Sequence, residues 1–175
     1  MTEKKFTYIL ISVAALAILV VILLNIPWGG DKAAISKEFA IDKDHIYETI
    51  SEENLYTKIN SGETFQLFVG YGTNPNGTPN LNGQSFAYEA NKLATSYDVK
   101  IIYFLNYAKL TEAGISNLKD ATSFHTEFPS LFYFEGDLNE ASRANNISGL
   151  KELEDFDGSL LDLLEQYFKD CYENN

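Results

Sequence analysis

The sequence predicts an α/β domain carried behind one membrane-spanning helix. Three observations predict it. An uncharged apolar run, FTYILISVAALAILVVILLNI, fills residues 6–26. Two short continuous apolar runs, Phe65–Tyr71 and Lys100–Tyr107, flank a stretch with apolar residues at helical spacing. The last segment, from Ser159, carries a broad face of leucine and aromatic residues.

The N-terminal run supplies the roughly 20 apolar residues that a spanning helix needs. Lys4 and Lys5 precede it and Trp28 follows it. Lysines on the short side favour a cytoplasmic N-terminus, and tryptophan suits the opposite interface. Residues 1–28 are therefore expected to be a cytoplasmic tip and signal anchor of a single-pass cell-membrane protein. The rest is expected outside the cytoplasm. A cleaved signal peptide is the competing reading. Its apolar region is usually about 7–15 residues and ends at small residues. This run is longer and ends in Asn25-Ile26-Pro27-Trp28, with no cysteine nearby to accept a lipid. A polar linker over 29–44 then leads to the domain at 45–175.

Setting aside Glu3, Lys4 and Lys5 leaves 24 acidic and 11 basic residues in the body of the chain. Nucleic-acid binding needs clustered Lys and Arg to neutralise phosphates, so this balance argues against it. It also argues against anionic lipid headgroups and fits a soluble acidic surface. Cys171 is the only cysteine. Alone it cannot form an internal disulfide. It leaves a free thiol or a bridge to a second copy, a homodimer through Cys171.

Each element follows from local signals. Ser51-Glu52-Glu53 offers a helix N-cap with early acids. Asn54 stands where a full capping box would need an acid or Gln. Leu55 and Ile59 repeat at helical spacing, and Ser61-Gly62 stops that helix. Phe65–Tyr71 has the continuous apolar character of a buried central strand. Gly72–Gly83 is turn-forming throughout. Gln84–Tyr97 reads as a helix with Phe86, Ala90, Leu93 and Ala94 on one face. Lys100–Tyr107 suits a parallel strand covered on both sides, and strand, helix, strand makes a right-handed crossover. Thr111–Thr122 reads as a helix with Ile115, Leu118 and Ala121 inward. Ser130–Phe134 is a strand, Gly136-Asp137 a turn, and Leu138–Ala144 its hairpin partner. Asn145–Asp157 is irregular. Ser159 caps a last helix whose apolar face is Leu160, Leu161, Leu163, Leu164, Tyr167 and Phe168.

Over residues 45–170 this order resembles the thioredoxin fold. The resemblance implies a three-layer α/β/α sandwich with a mixed central sheet. Glu127-Phe128-Pro129-Ser130-Leu131-Phe132-Tyr133-Phe134-Glu135-Gly136 resembles its cis-proline strand and hairpin glycine. Within it, the chain most resembles the membrane-anchored or secreted bacterial thioredoxin-like proteins, including those called bacteriocin transport accessory proteins. There a segment like Tyr47-Glu48-Thr49-Ile50-Ser51 leads into a strand ending in glycine, and a Cys-x-x-Cys loop opens the first long helix. This chain matches the lead-in, strand and helix and lacks both cysteines. The alternative is another α/β sandwich in which Pro129 merely opens an edge strand.

Dithiol exchange needs a thiolate to attack a disulfide, and Gly72–Gly83 has none. No catalytic residue and no cofactor is expected. In redox relatives the residue before the cis-proline pairs its backbone with an extended peptide, and Phe128 holds that position. Strand addition uses main-chain bonds and survives loss of the cysteines. Tyr71, Asn74, Pro75, Asn76, Phe128 and Pro129 are therefore the candidate surface for a protein or peptide partner. The plainer reading is a structural turn rich in Gly, Pro and Asn. His45 and His125 lack partners at metal-ligand spacing, so no metal is expected. The leading expectation is a non-catalytic, membrane-tethered accessory subunit of an export, conjugation or envelope assembly. A thiol-disulfide enzyme relying on Cys171 or a partner's thiols, and a chaperone-like holdase for secreted clients, are the alternatives.

Overall fold

The computed structural model describes residues 30–122, 129–136, 144–148 and 157–173. Lys32–Asn175 form one compact unit. No helix among the described residues is long and apolar enough to cross a membrane. The apolar run at 6–26, and with it the expected anchor, lies outside them.

The elements run α1 (Gly30–Phe39), β1 (Tyr47–Thr49), α2 (Glu52–Ser61), β2 (Phe65–Gly70), α3 (Leu81–Ser96), β3 (Ile102–Asn106), α4 (Glu112–Thr122), β4 (Ser130–Phe134), β5 (Ala144–Ser148) and α5 (Leu160–Tyr172). One sheet takes the order β1-β3-β2-β4-β5. β3 is parallel to both β1 and β2, while β4 is antiparallel to β2 and β5. The sheet is mixed, and its order and directions are those of a thioredoxin-like fold.

The strand pleat sorts the side chains into two cores, because successive residues point to opposite faces. On one face Phe68, Ile102, Phe104 and Leu131 pack with α1, α3 and α5 through Phe39, Phe86, Ala90, Leu164 and Phe168. On the other face Phe65, Leu67, Val69, Leu105, Phe132 and Phe134 pack with α2 and α4 through Leu55, Ile59 and Leu118. Helices cover both sides, so the architecture has three layers. Phe68 sits within 6.0 Å, centroid to centroid, of Phe39, Tyr47, Phe86 and Phe104.

The helix ends follow the expected chemistry. Ser51 caps α2 by accepting the Asn54 N–H at 3.2 Å. Gly62 ends it at φ 71°, a left-handed conformation that glycine adopts without a Cβ penalty. Ser159 caps α5, and Asp162 returns a bond to the Ser159 N–H, closing a capping box.

Three expectations are corrected. The linker at 29–44 instead contains α1, whose Ile35 and Phe39 are buried in the core, followed by buried Ile41. His45 then ties α1 to β1. Its Nε2 donates to the Lys32 carbonyl at 3.0 Å, and its Nδ1 accepts the Tyr47 N–H at 3.2 Å. This pair of roles defines a neutral tautomer and uses both ring nitrogens. Lys32 Nζ returns a bond to the His45 carbonyl at 2.9 Å. α3 begins at Leu81, not Gln84, because Asn80 accepts the Gly83 N–H and caps the helix three residues early. The partner of β4 is Ala144–Ser148, with Phe134 paired to Ala144, a shift from the expected Leu138–Ala144, of which residues 138–143 lie outside the described residues.

Phe39→Ala should lower the unfolding free energy by about 3–5 kcal/mol, as for a buried aromatic truncation. Urea unfolding of the full chain followed by tyrosine fluorescence measures it. A loss under about 1 kcal/mol would return residues 29–44 to a linker.

Candidate functional site

The site lies where β2 runs out into α3. In the fold that the sequence resembles, this junction carries the cysteine pair at the start of the long helix. Here Asn80, Leu81, Asn82 and Gly83 stand at that start. None is a nucleophile at neutral pH. Gly83 is pressed against the preceding chain: a Cβ there would fall 2.2 Å from the Tyr71 carbonyl oxygen. A cysteine at 83 therefore does not fit unless the loop moves. Leu81, by contrast, is 69% exposed.

The loop between them is closed on itself. Thr73 and Pro79 form an antiparallel bridge. The Asn74 N–H donates to the Thr78 carbonyl, and its own carbonyl accepts the Gly77 N–H, both at 2.8 Å. Asn74 Nδ2 donates to Thr78 Oγ1 at 3.1 Å and the Pro79 carbonyl at 3.3 Å. Asn76 Oδ1 accepts from the Thr78 N–H and hydroxyl at 3.0 and 2.7 Å. Gly77, at φ +83°, supplies the left-handed step of the turn.

The base of the loop is fixed from outside. Glu38 Oε1, near the end of α1, accepts the Gly72 and Thr73 N–H groups at 2.8 and 3.1 Å. Gln84 Nε2, on α3, donates to the Gly72 carbonyl at 3.0 Å and the Glu38 carbonyl at 3.3 Å. Asn80 Nδ2 donates to the Tyr71 carbonyl at 3.2 Å. α1, the loop and α3 thus share one hydrogen-bonded knot, with Gly72 at its centre. A Cβ on Gly72 would lie 2.0 Å from the Glu38 carbonyl oxygen.

The six candidate residues divide in this setting. Tyr71 is half-buried at the end of β2. Pro129 is buried beside it, with its Cβ 3.3 Å from the place a Gly70 Cβ would occupy. Asn74, Pro75 and Asn76 form the turn, the last two exposed. Phe128 lies outside the described residues, as does His125. Sequence reasoning missed Glu38, Asn80, Leu81 and Gln84. Asn80 followed three residues later by Gly83 was a readable capping signal. Glu38 had none, since its partners are backbone groups 34 and 35 positions away.

Cys171 is 1% exposed, and burial pushes its thiol up to about 12. A thiolate is the reactive form, so this cysteine is protected from attack and from bridging while the helix stays packed. Among the described residues no three His, Cys, Asp or Glu side chains converge as a metal site.

No protein-family model matches the chain, and no curated protein matches it. Among solved structures it is similar to one described as the crystal structure of the J-Trx1 fragment of ERdj5, at 18% identity and a TM-score of 0.44. The match covers 74% of this chain and 53% of that one, so it spans about half the length of that structure.

Two outcomes are expected. Glu38→Ala leaves the Gly72 and Thr73 N–H groups unpaired and should cost about 1–3 kcal/mol, with hydrogen exchange at both amides rising in the native state. Unchanged protection there would contradict the knot. Cys171 should react with a thiol reagent at pH 8 roughly a hundredfold more slowly in native than in urea-unfolded protein. The same burial makes stability fall with alkali. The unfolded thiol loses its proton from about pH 8.5 while the folded one keeps it, so stability drops as pH rises through 8.5 toward 12. Equal rates in the two states would show the thiol to be accessible.

Proposed function

We propose that this chain is a non-catalytic, membrane-anchored thioredoxin-like domain. It binds a protein or peptide outside the cytoplasm, as an accessory subunit of an export, conjugation or envelope assembly. The start of α3 carries the reading. Asn80–Gly83 hold no nucleophile, and the Gly83 backbone is sealed against Tyr71, while Leu81 stands open to solvent. Chemistry is gone from the junction and an apolar contact point remains.

Three further features support it. The chain passes Pro129 into β4 beside the end of β2, where main-chain pairing with an extended peptide needs no thiol. The expected anchor at residues 6–26 raises local concentration at the membrane, so individually weak contacts suffice. The resemblance to membrane-anchored bacterial thioredoxin-like and bacteriocin transport accessory proteins gives the setting. The buried thiol of Cys171 weighs against a thiol-disulfide enzyme built on it.

The test is an in-cell crosslink and pull-down with the full chain, comparing the intact protein with Leu81→Asp, Phe128→Asp and a variant with Asn74, Pro75 and Asn76 replaced by serine. One partner captured by the intact protein and lost in the variants is expected. One partner retained by all would move the interface elsewhere. A broad set of unfolded clients would make the chain a holdase instead.

A further inference from the structure

Asparagine followed by glycine occurs twice in the chain, at Asn76-Gly77 and at Asn82-Gly83. This dipeptide is open to attack on itself. Glycine has no Cβ to shield its backbone nitrogen and turns freely, so that nitrogen can reach the side-chain carbonyl carbon of the asparagine before it. The ring closure is intramolecular, and proximity lowers its barrier. Asn74 has no such route, because Pro75 carries no N–H to give up. The fold treats the two Asn-Gly pairs differently.

Gly83 is buried in the first turn of α3. Its N–H donates to the Asn80 side chain at 3.2 Å, and its Cβ position falls 2.2 Å from the Tyr71 carbonyl oxygen. Turning that peptide toward the Asn82 side chain undoes the cap and the first turn of α3. It also disturbs the bonds that Asn80 and Gln84 make to the Tyr71 and Gly72 carbonyls.

Gly77 stands at the exposed tip of the loop, with nothing within 4 Å of its Cβ position. Its reacting groups are held only by bonds inside the turn. The Gly77 N–H donates to the Asn74 carbonyl at 2.8 Å. Asn76 Oδ1 accepts the Thr78 N–H at 3.0 Å and the Thr78 hydroxyl at 2.7 Å. While these bonds last they act as a brake, since the attacking nitrogen keeps its proton and the carbonyl is turned to Thr78. Hydrogen bonds in an exposed loop open far more cheaply than the core unfolds, and here opening admits water directly.

We infer that Asn76 is a self-modification site, converted in the folded protein to aspartate and isoaspartate, whereas α3 protects Asn82. The Gly77 nitrogen loses its proton and bonds to Asn76 Cγ. The Cγ–Nδ2 bond breaks, and Nδ2 leaves as ammonia with that proton. Water then adds to one of the two ring carbonyls and breaks its bond to the Gly77 nitrogen. Opening at Cγ gives aspartate; opening at the main-chain carbonyl gives isoaspartate. One water is consumed, one ammonia is released, and nothing is oxidised or reduced. The product carries a negative charge beside Pro75 where a neutral amide stood. An aspartate still accepts both Thr78 bonds, now charge-assisted. An isoaspartate lengthens the main chain by one carbon and loses the register of the turn. The inference does not rest on the proposed partner binding.

The test holds the full chain in mildly alkaline buffer, native and in urea, and maps both sites by peptide mass spectrometry with aspartate and isoaspartate resolved. In urea the two sites should convert at similar rates, because they share the dipeptide. In the native protein Asn76 should convert at least about tenfold faster than Asn82. Thr78→Val removes one of the two donors on Oδ1 and should speed native conversion at Asn76 about threefold or more. Native conversion at Asn82 equal to or ahead of Asn76 overturns the inference. So does a native chain that keeps both amides over the time in which the unfolded chain converts fully. Slower conversion at Asn76 in Thr78→Val would make Thr78 a promoter of the attack and overturn its part as a brake. The comparison of the two sites in the unmodified chain decides the matter even if the variant does not fold.

Discussion

The middle strand must be covered on both faces, since all six residues from Phe65 to Gly70 are buried. Each fully buried apolar side chain of this size contributes about 1.5–3 kcal/mol, so Leu67, Phe68 and Val69 set the arrangement around them. Phe68 draws Phe39, Tyr47, Phe86 and Phe104 to one face. Leu67 and Val69 draw α2 and α4 to the other. Helices on each face follow from that demand. So does the place of the site, because a strand buried along its whole length can present chemistry only at its ends.

The Gly70 end of β2 is fixed by bonds from two helices. There Glu38 accepts the Gly72 and Thr73 N–H groups, Gln84 donates to the Gly72 carbonyl and Asn80 to the Tyr71 carbonyl. A loop held this way keeps its shape without a disulfide, and the close approach at Gly72 and Gly83 excludes larger residues. The outcome is a pinned loop with a few exposed groups, Leu81 foremost.

Much of this was legible in the residues. The continuous apolar runs at Phe65–Tyr71 and Lys100–Tyr107 read as central strands because a strand buried on both faces loses its alternation. Ser51 and Ser159 read as caps because the side-chain bond is local. α1 did not, since Ile35 and Phe39 are two apolar residues in a polar stretch, and only the tertiary structure shows what they pack against. β1 is three residues long, too short for any period. At the site, Asn74-Pro75-Asn76-Gly77 announced the turn that the loop forms. The knot through Glu38 was illegible because its bonds reach the backbone of a distant segment, which no side-chain pattern encodes.

The account turns on the exposed start of α3 being the face that meets a partner. The direct measurement places a photo-crosslinking residue at Leu81, and separately at Leu161 on the exposed side of α5, in the full chain in its native cells. A single discrete adduct at position 81, with none at 161, is the predicted result. Adducts at 161 alone, or the same adducts at both positions, would contradict it.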